Sequence, residues 1–146
     1  MQLFEADALR QNYTPTHPRL VVSPENSRAR LTAFLQGARR ELLIYDAQLT
    51  DNAIQKVLAE RAGAGVKIRV LGRLEKPNSD IKVRRMGNLR LHVRAIIRDR
   101  ETAFVGSQSL RKLELDGRRE VGIIIQNGAI VRKIQAVFEA DWQKNK

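Results

Sequence analysis

Cysteine is absent from the 146 residues of the chain. The chain therefore has no disulfide framework, no thiolate nucleophile and no cysteine-based zinc site. Histidine is scarce as well, since only His17 and His92 occur, and a histidine-rich metal site is not expected. We predict neither a metal site nor any other cofactor.

Long apolar runs are also missing. No stretch approaches the roughly 20 residues that a membrane span requires. The start, MQLFEADALRQ, lacks the basic and apolar regions of a secretion signal. We therefore expect a cytoplasmic location or one peripheral to the membrane. Aromatic residues make up only 5% of the chain, which argues against a single-strand binder built on base stacking.

Positive charge is what the sequence has in excess. The formal net charge is +11, from 27 basic and 16 acidic residues. Nucleic acid, anionic phospholipid headgroups and a diffuse solubilising charge all fit this balance. Most of the basic residues are arginines, and arginine favours bidentate contact with phosphate oxygens. A phosphate-bearing ligand is therefore favoured.

Strand and helix patterns alternate through the first half of the chain. Apolar strands are predicted at 20–22, 41–45 and 66–71. Ser23-Pro24-Glu25 is typical of a first helix start, and Thr50-Asp51 of a second. This β-α-β-α-β order indicates an α/β fold with part of its sheet parallel.

The remaining elements are assigned more coarsely. Residues 81–85 form a basic element of unassigned type, and 110–117 a polar connection. Residues 121–125 are apolar on both faces, which predicts an interior strand. The last helix, at about 129–143, is expected to bury Ile130, Ile134, Val137, Phe138 and, at its end, Trp142.

The central stretch, residues 89–120, carries the candidate chemistry. Strand alternation places apolar residues on one face (Leu89, Leu91 and Val93) and basic residues on the other (Arg90, His92 and Arg94). A polar turn at 98–101 returns the chain antiparallel along 102–105. This hairpin is predicted to bring Ser107 beside His92.

These residues resemble the HxKxxxxD, GSxN and E motif set of the phospholipase D superfamily. Counted from His92, the basic residue Arg94 comes two positions later, Asp99 seven, Ser107 fifteen and Glu120 twenty-eight. The resemblance extends from about Leu20 to Trp142. It implies an α-β-α layered half-domain with a mixed central sheet and helices on both faces.

The resemblance implies metal-independent phosphodiester chemistry at a site made by two such motifs. One histidine forms a phosphohistidine, and the other protonates the leaving alcohol and then activates water or an acceptor alcohol. His92 and Glu120 are the implied catalytic residues, with Glu120 orienting an imidazole. Arg94, Ser107 and Ser109 would bind the phosphate, and Asp99 is expected to be structural.

Two positions depart from the motif. Arg94 stands in place of lysine, and Ser109 in place of asparagine. Arginine keeps the charge but has a larger planar fork, and serine is shorter than asparagine. Phosphate binding is expected to survive these changes, with loss of turnover as an alternative. The simpler interpretations are that His92 is a packed or solvent-facing strand residue, that Ser107 only follows a turn glycine, and that Glu120 pairs with Arg118 or Arg119.

Phe-Glu-Ala-Asp occurs twice, at 4–7 and at 138–141. The repeat suggests that residues 1–17 are the tail of a preceding repeat plus a linker, followed by the phospholipase D-like domain at 18–146. The alternative is two unrelated helix ends. A second motif would come from a preceding domain, with His92 then the general acid and base, or from a homodimer mate.

Three functions remain open from the sequence. The favoured one is a phosphodiesterase or phosphatidyltransferase of the cardiolipin-synthase kind, acting on a phospholipid headgroup with peripheral contact to an anionic membrane. The second is a homodimeric nuclease acting on nucleic acid. The third is a degenerate half-domain that binds phosphate without turnover.

Overall fold

The computed structural model describes residues 2–9, 11, 13–87 and 90–146. Within these residues, seven strands form one sheet and five helices accompany it. The strands are β1 (Leu20–Ser23), β2 (Glu41–Leu49), β3 (Lys67–Leu74), β4 (Ile81–Arg84), β5 (Arg94–Arg98), β6 (Thr102–Gly106) and β7 (Glu120–Ile125). The helices are α1 (Gln2–Ala8), α2 (Ser27–Gln36), α3 (Asn52–Gly63), α4 (Lys112–Asp116) and α5 (Gly128–Lys144).

The sheet is mixed, with the strand order β1-β7-β6-β5-β2-β3-β4. Neighbours in the β2-β3-β4 group run parallel, and the other pairs run antiparallel. Of the alternating strands, only β2 and β3 are neighbours, joined through α3. β1 lies at the far end of the sheet beside β7, and β4 follows β3 through a loop without a helix. The α/β prediction with a partly parallel sheet is confirmed.

Apolar residues cover both faces of this sheet. Along β2, Leu42 and Ile44 join a core cluster that includes residues of α2, α3 and α4. Leu43 and Tyr45 point the other way, into a second cluster that includes Phe138 of α5. This alternation is the period of two expected for a strand buried on both faces. The predicted three-layer architecture is therefore confirmed.

The first long helix starts later than the sequence suggested. Ser23-Pro24-Glu25 was predicted to begin it, but α2 begins at Ser27. The Asn26 side chain accepts a hydrogen bond from the Val22 N–H (2.8 Å) and donates to the Leu20 carbonyl (3.2 Å). These bonds tie the turn to β1, so that the helix starts after it. The second prediction is confirmed, because the Asp51 carboxylate caps α3 at the N–H of Ile54.

Two further segments gain regular structure that the sequence did not assign. Residues 81–84 form β4, an edge strand parallel to β3. The predicted polar connection at 110–117 contains the short helix α4, whose Leu115 is fully buried. Periodicity over so few residues is too short to distinguish a helical turn from a loop.

The buried stripe of α5 differs from the prediction. Ile130 and Val137 are 46% and 58% exposed, whereas Val131, Phe138 and Trp142 are buried. The buried residues are spaced by seven and four positions and therefore share one helix face. Ile134 packs at the margin of that face, as predicted. The error arose because two adjacent apolar residues, such as Val137 and Phe138, cannot both point at the sheet.

The strand at 120–125 is interior in the sheet but not buried on both faces. The predicted interior position is confirmed, because β7 lies between β1 and β6. Val121 and Ile123 are nevertheless 39% and 46% exposed. The helix α5 packs over β2, β5 and β6 and leaves this part of the sheet uncovered.

The central hairpin is shorter than predicted. Residues 90–93 have no regular structure, and β5 begins only at Arg94. His92 therefore lies before the strand and not on it. Leu89, which was assigned to the apolar face, lies outside the described residues. The turn and the antiparallel return are confirmed, with Arg94 opposite Gly106.

Candidate active site

The candidate residues concentrate at one edge of the sheet, which we call the Arg94 edge. It is formed by the carboxyl ends of β2, β3 and β6 and by the amino ends of β5 and β7. The pairing of Arg94 with Gly106 means that the segments carrying His92 and Ser107 leave the hairpin at the same end. Asp99 lies at the opposite edge, in the turn.

Arg94 and Ser109 are in direct contact. The Arg94 Nε–H donates to the Ser109 hydroxyl oxygen, and its Nη1 donates to the carbonyls of Val93 (3.1 Å) and Leu91 (3.4 Å). Its Nη2 group has no hydrogen-bond partner among the residues that the structure describes. The guanidinium is thus held on one side and leaves two N–H donors free on the other.

Ser109 is buried and fixed through its backbone. It is 1% exposed, and its N–H donates to a carboxylate oxygen of Glu114 at 2.5 Å. Glu114 lies on α4 and also pairs with Arg111 at 3.3 Å. The short helix therefore holds the loop that carries the serine.

Ser107 and Glu120 lie at the same edge but have other partners. The Ser107 hydroxyl donates to the Val121 carbonyl (3.3 Å) and accepts from the Val121 N–H (3.1 Å). The Glu120 side chain is 12% exposed and pairs with Arg118 at 3.6 Å. Neither side chain makes a hydrogen bond or ion pair with His92. The expected juxtaposition of Ser107 and His92 is thus limited to the same end of one hairpin.

His92 is exposed and lines a cavity of about 470 Å³. The walls are mostly apolar and are formed by Tyr45, Met86, Leu91, Val93, Ala95, Val105, Ile134 and Val137, with Arg90 and Asp141 at the polar end. The Tyr45 hydroxyl donates to Asp141 at 2.6 Å. Burial and this hydrogen bond raise the pKa of Tyr45. His92 makes no hydrogen bond to any residue that the structure describes.

Asp99 accepts hydrogen bonds from three consecutive backbone N–H groups. Its carboxylate lies 3.0 Å from the Arg39 nitrogen, 2.7 Å from that of Arg40 and 2.9 Å from that of Glu41. Burial would raise the pKa of this carboxyl, but the three hydrogen bonds and the charge of Arg40 lower it. These contacts support a structural role, away from the Arg94 edge.

Asp46 is a site residue that the sequence analysis missed. It lies on β2 at the Arg94 edge, is 1% exposed, and accepts hydrogen bonds from the N–H groups of Gln48 (2.9 Å) and Leu110 (2.6 Å). A charged residue directly after four apolar strand residues was the available signal. Buried carboxylates are uncommon unless they have a partner.

The described residues contain no cluster of three or more histidine, cysteine, aspartate or glutamate side chains arranged to hold a metal ion. In the same part of the chain, no helix has the length and apolar character that a membrane span requires.

Comparison with protein families assigns residues 31–142 to the family described as "Cardiolipin synthase, PLD-like domain". The matched segment covers most of the chain and includes every motif residue. The chain belongs to this family. Its membership supports a phosphodiesterase-type function of the phospholipase D superfamily. No curated protein sequence matches the chain significantly.

Solved structures share the fold of this PLD-like domain. Nuc, a phospholipase D family member from Salmonella typhimurium, is 18% identical with a TM-score of 0.78, over 88% of this chain and 95% of that one. NucT from Helicobacter pylori is 17% identical with a TM-score of 0.77, over 86% and 95%. The polyphosphate kinase from Porphyromonas gingivalis is 22% identical with a TM-score of 0.81, over 97% of this chain and 25% of that one.

Proposed function

We propose that this PLD-like domain is a metal-independent phosphodiesterase or phosphatidyltransferase that works through a phosphohistidine intermediate. Its site is the Arg94 edge, with His92 as the acid and base if a preceding domain supplies the nucleophilic histidine. A second histidine motif, from a preceding domain or from a second copy of the chain, completes the site.

The arrangement of Arg94 carries this proposal. The guanidinium has no carboxylate ion pair within the described part of the chain, although seven other arginines have one. Three of its donors are bonded to Ser109 and to backbone carbonyls, and two are free. A held cation with free donors on one side suits the non-bridging oxygens of a phosphate. His92 precedes it by two residues and is open to solvent.

The proposed reaction has two steps. First, one imidazole nitrogen forms a bond to phosphorus, the bridging P–O bond breaks, and the leaving alkoxide takes a proton from the other imidazole. Second, that imidazole takes a proton from water or from an alcohol, whose oxygen attacks phosphorus as the N–P bond breaks. Glu120, partly buried at the same edge, is proposed to orient an imidazole.

The domain that carries the second histidine motif would need a surface to dock on. Three apolar side chains near the site are exposed, namely Val93, Val121 and Val137, and Ile123 and Ile130 are exposed farther along β7 and α5. Val93 and Val137 also line the His92 cavity. Exposed apolar residues grouped in this way mark an interaction surface. We propose that the second motif docks here, which places it beside His92.

The cavity beside His92 favours a lipid-type substrate. Its apolar walls suit an acyl or alkyl group that is attached to the phosphodiester, whereas a sugar or a base would need polar partners. A phospholipid whose phosphate contacts His92 would place its apolar chain next to Leu91 and Val105.

A nuclease is the second candidate, and one observation favours it. A smaller cavity of about 280 Å³ adjoins the site and includes Arg73 and Arg85. Both arginines are exposed, and neither has an ion pair within the described ranges. Further cations along one edge suit a substrate with several phosphates.

The test measures turnover of bis(p-nitrophenyl) phosphate, of phosphatidylglycerol vesicles and of single- and double-stranded DNA, with and without EDTA. We expect turnover of the generic diester and of the lipid that survives EDTA and falls at least about 100-fold in His92→Ala, the usual scale of acid-base catalysis. His17→Ala is the matched control, because His17 is exposed and lies before β1 at the opposite edge.

Each outcome decides between the candidates. Cleavage of DNA without lipid turnover would favour the nuclease. Phosphate binding without turnover, also when the second motif is supplied in a tandem version, would favour the degenerate half-domain. Activity that His92→Ala leaves unchanged would contradict both enzyme functions. Strong activity of a chain that light scattering shows to be monomeric would contradict the need for a second motif.

A further inference from the structure

Asp46 is buried at the Arg94 edge, and its local backbone brings it there. The pairing of β2 with β3 shifts register between Asp46 and Leu49, which marks a bulge. Bulges redirect side chains next to active sites. Gly72 of β3 allows this bulge, because a Cβ at that position would overlap the Asp46 carbonyl oxygen, and its φ of +140° disfavours other residues.

The Asp46 carboxylate links β2 to the loop that carries Ser109. One oxygen accepts from the Leu110 N–H, directly after Ser109, and the other accepts from the Gln48 N–H. The Leu110 carbonyl in turn accepts from the N–H groups of Thr50 (3.1 Å) and Asp51 (3.0 Å). The position of Ser109 is therefore set from the end of β2.

Asp46 lies close enough to Ser109 and Arg94 for both to influence its pKa. Burial raises the pKa of Asp46, while the Leu110 and Gln48 N–H groups, the Ser109 hydroxyl and the positive charge of Arg94 lower it. The Ser109 oxygen accepts from Arg94 Nε–H, so the single hydroxyl proton remains free for a carboxylate acceptor. A hydrogen bond from this hydroxyl to Asp46 would join carboxylate, hydroxyl and guanidinium in one polar chain.

Arg94 and Ser109, the two residues that depart from the family motif, are hydrogen-bonded to each other. A lysine at position 94 would be a flexible point charge that needs no orientation, whereas the arginine fork binds phosphate well only when it is aimed. Serine at position 109 is too short to replace asparagine as a direct phosphate ligand, but it can hold the Nε of an arginine. A buried carboxylate behind the serine fixes its hydroxyl.

We propose that Asp46 is a positioning residue for phosphate binding. Its carboxylate accepts the Ser109 hydroxyl proton, the Ser109 oxygen then holds Arg94 Nε–H, and the free Nη2 group is aimed at the phosphate. This inference rests on the proposed function for the identity of the ligand. The contacts of Arg94 with Ser109 and of the Leu110 N–H with Asp46 are present without ligand.

The experiment compares wild type with Asp46→Asn by NMR titration with inorganic phosphate and by exchange of the Arg94 side-chain Nε–H. Asparagine keeps the shape but removes the charge and one acceptor. We expect affinity for phosphate to fall about tenfold or more, since a charged hydrogen bond is lost. We also expect Arg94 Nε–H exchange with solvent to rise at least about tenfold, because its acceptor is no longer fixed.

Asp51→Asn is the control for general destabilisation. Asp51 is also buried, caps α3 and pairs with Arg28 at 2.6 Å, and its side chain makes no hydrogen bond to Ser109 or Arg94. Its backbone N–H, which binds the Leu110 carbonyl, is kept in the variant. This variant is expected to unfold more easily and to keep wild-type phosphate affinity. In an Arg94→Lys background, Asp46→Asn should change phosphate affinity less than about twofold, because the orientation of an arginine fork no longer matters.

The outcomes separate this inference from the proposed function. If wild type binds phosphate but Asp46→Asn binds it equally well, the positioning role is wrong and the site stands. Equal losses from Asp46→Asn in the wild-type and Arg94→Lys backgrounds would also overturn it. If wild type binds no phosphate, the proposed function fails. The Nε–H exchange, measured without ligand, then still decides whether Asp46 holds Arg94, and unchanged exchange would overturn that.

Discussion

At the scale of single residues, the motif spacing predicted side chains that the structure places at the Arg94 edge, but not which residues these side chains contact. Arg94 and Ser109 were both expected to bind phosphate, and the structure joins them to each other. This contact depends on how the loop after β6 is held by Glu114 and Asp46, and Asp46 is distant in the sequence. Spacing in one chain does not carry that information.

Asp99 offers a prediction about stability at this scale. Asp99→Asn removes the charge and turns one acceptor into a donor that faces backbone N–H groups. We expect the free energy of unfolding at pH 7 to fall by about 2 kcal/mol. Urea unfolding of Asp99→Asn and of Glu101→Ala would check it, since Glu101 is exposed and its ion pair with Arg40 should contribute less than about 1 kcal/mol.

The Asp99 carboxyl should also make the free energy of unfolding depend on pH. Its pKa in the folded chain is lowered, so its contribution is complete above the unfolded value of about 3.9. That contribution is lost as the pH falls through the lower folded value. The difference in stability between wild type and Asp99→Asn should therefore shrink on acidification. A difference that is constant down to acid unfolding, or absent at pH 7, would contradict the assigned contacts.

At the scale of elements, the hairpin was predictable and its ends were not. The polar turn between two apolar runs identified β5 and β6, because turn residues and alternation are local signals. The start of β5 at Arg94 was missed, since Leu91 and Val93 continue the alternation beyond the point where β6 provides a partner at Gly106. Strand pairing is a tertiary property.

The hairpin turn contains a strained residue. Asp99 and Arg100 have φ values of +53° and +62°, the left-handed conformation of a tight hairpin turn. Aspartate tolerates the left-handed conformation at position 99, and glycine is the favoured residue at position 100. We expect Arg100→Gly to be about 1 kcal/mol more stable than Arg100→Ala.

Comparing these two variants isolates the backbone effect. Both lose the ion pair between Arg100 and Glu41, so that loss cancels. Thermal unfolding of the pair measures the difference directly. Equal stability, or a more stable alanine variant, would show that the left-handed conformation carries no strain.

At the scale of the whole molecule, the order of elements was enough to predict a layered α/β domain. What it did not predict is the uncovered apolar face at Val121 and Ile123 and along α5. A sequence pattern assigns apolar residues to the core, although some of them lie on a surface that binds a partner. The division into a tail at 1–17 and a domain at 18–146 stays a prediction, as does the partner that would cover this face.

The central claim is that His92 and Arg94 line one phosphate site, and the two-histidine sequence makes a direct measurement possible. Proton NMR resolves the imidazole Cε1–H signals of His17 and His92 during titration with inorganic phosphate at constant pH and ionic strength. We predict a saturable shift of the His92 signal, no specific shift for His17, and loss of the His92 shift in Arg94→Ala. A His92 signal that does not move, or that moves equally in Arg94→Ala, would contradict the account.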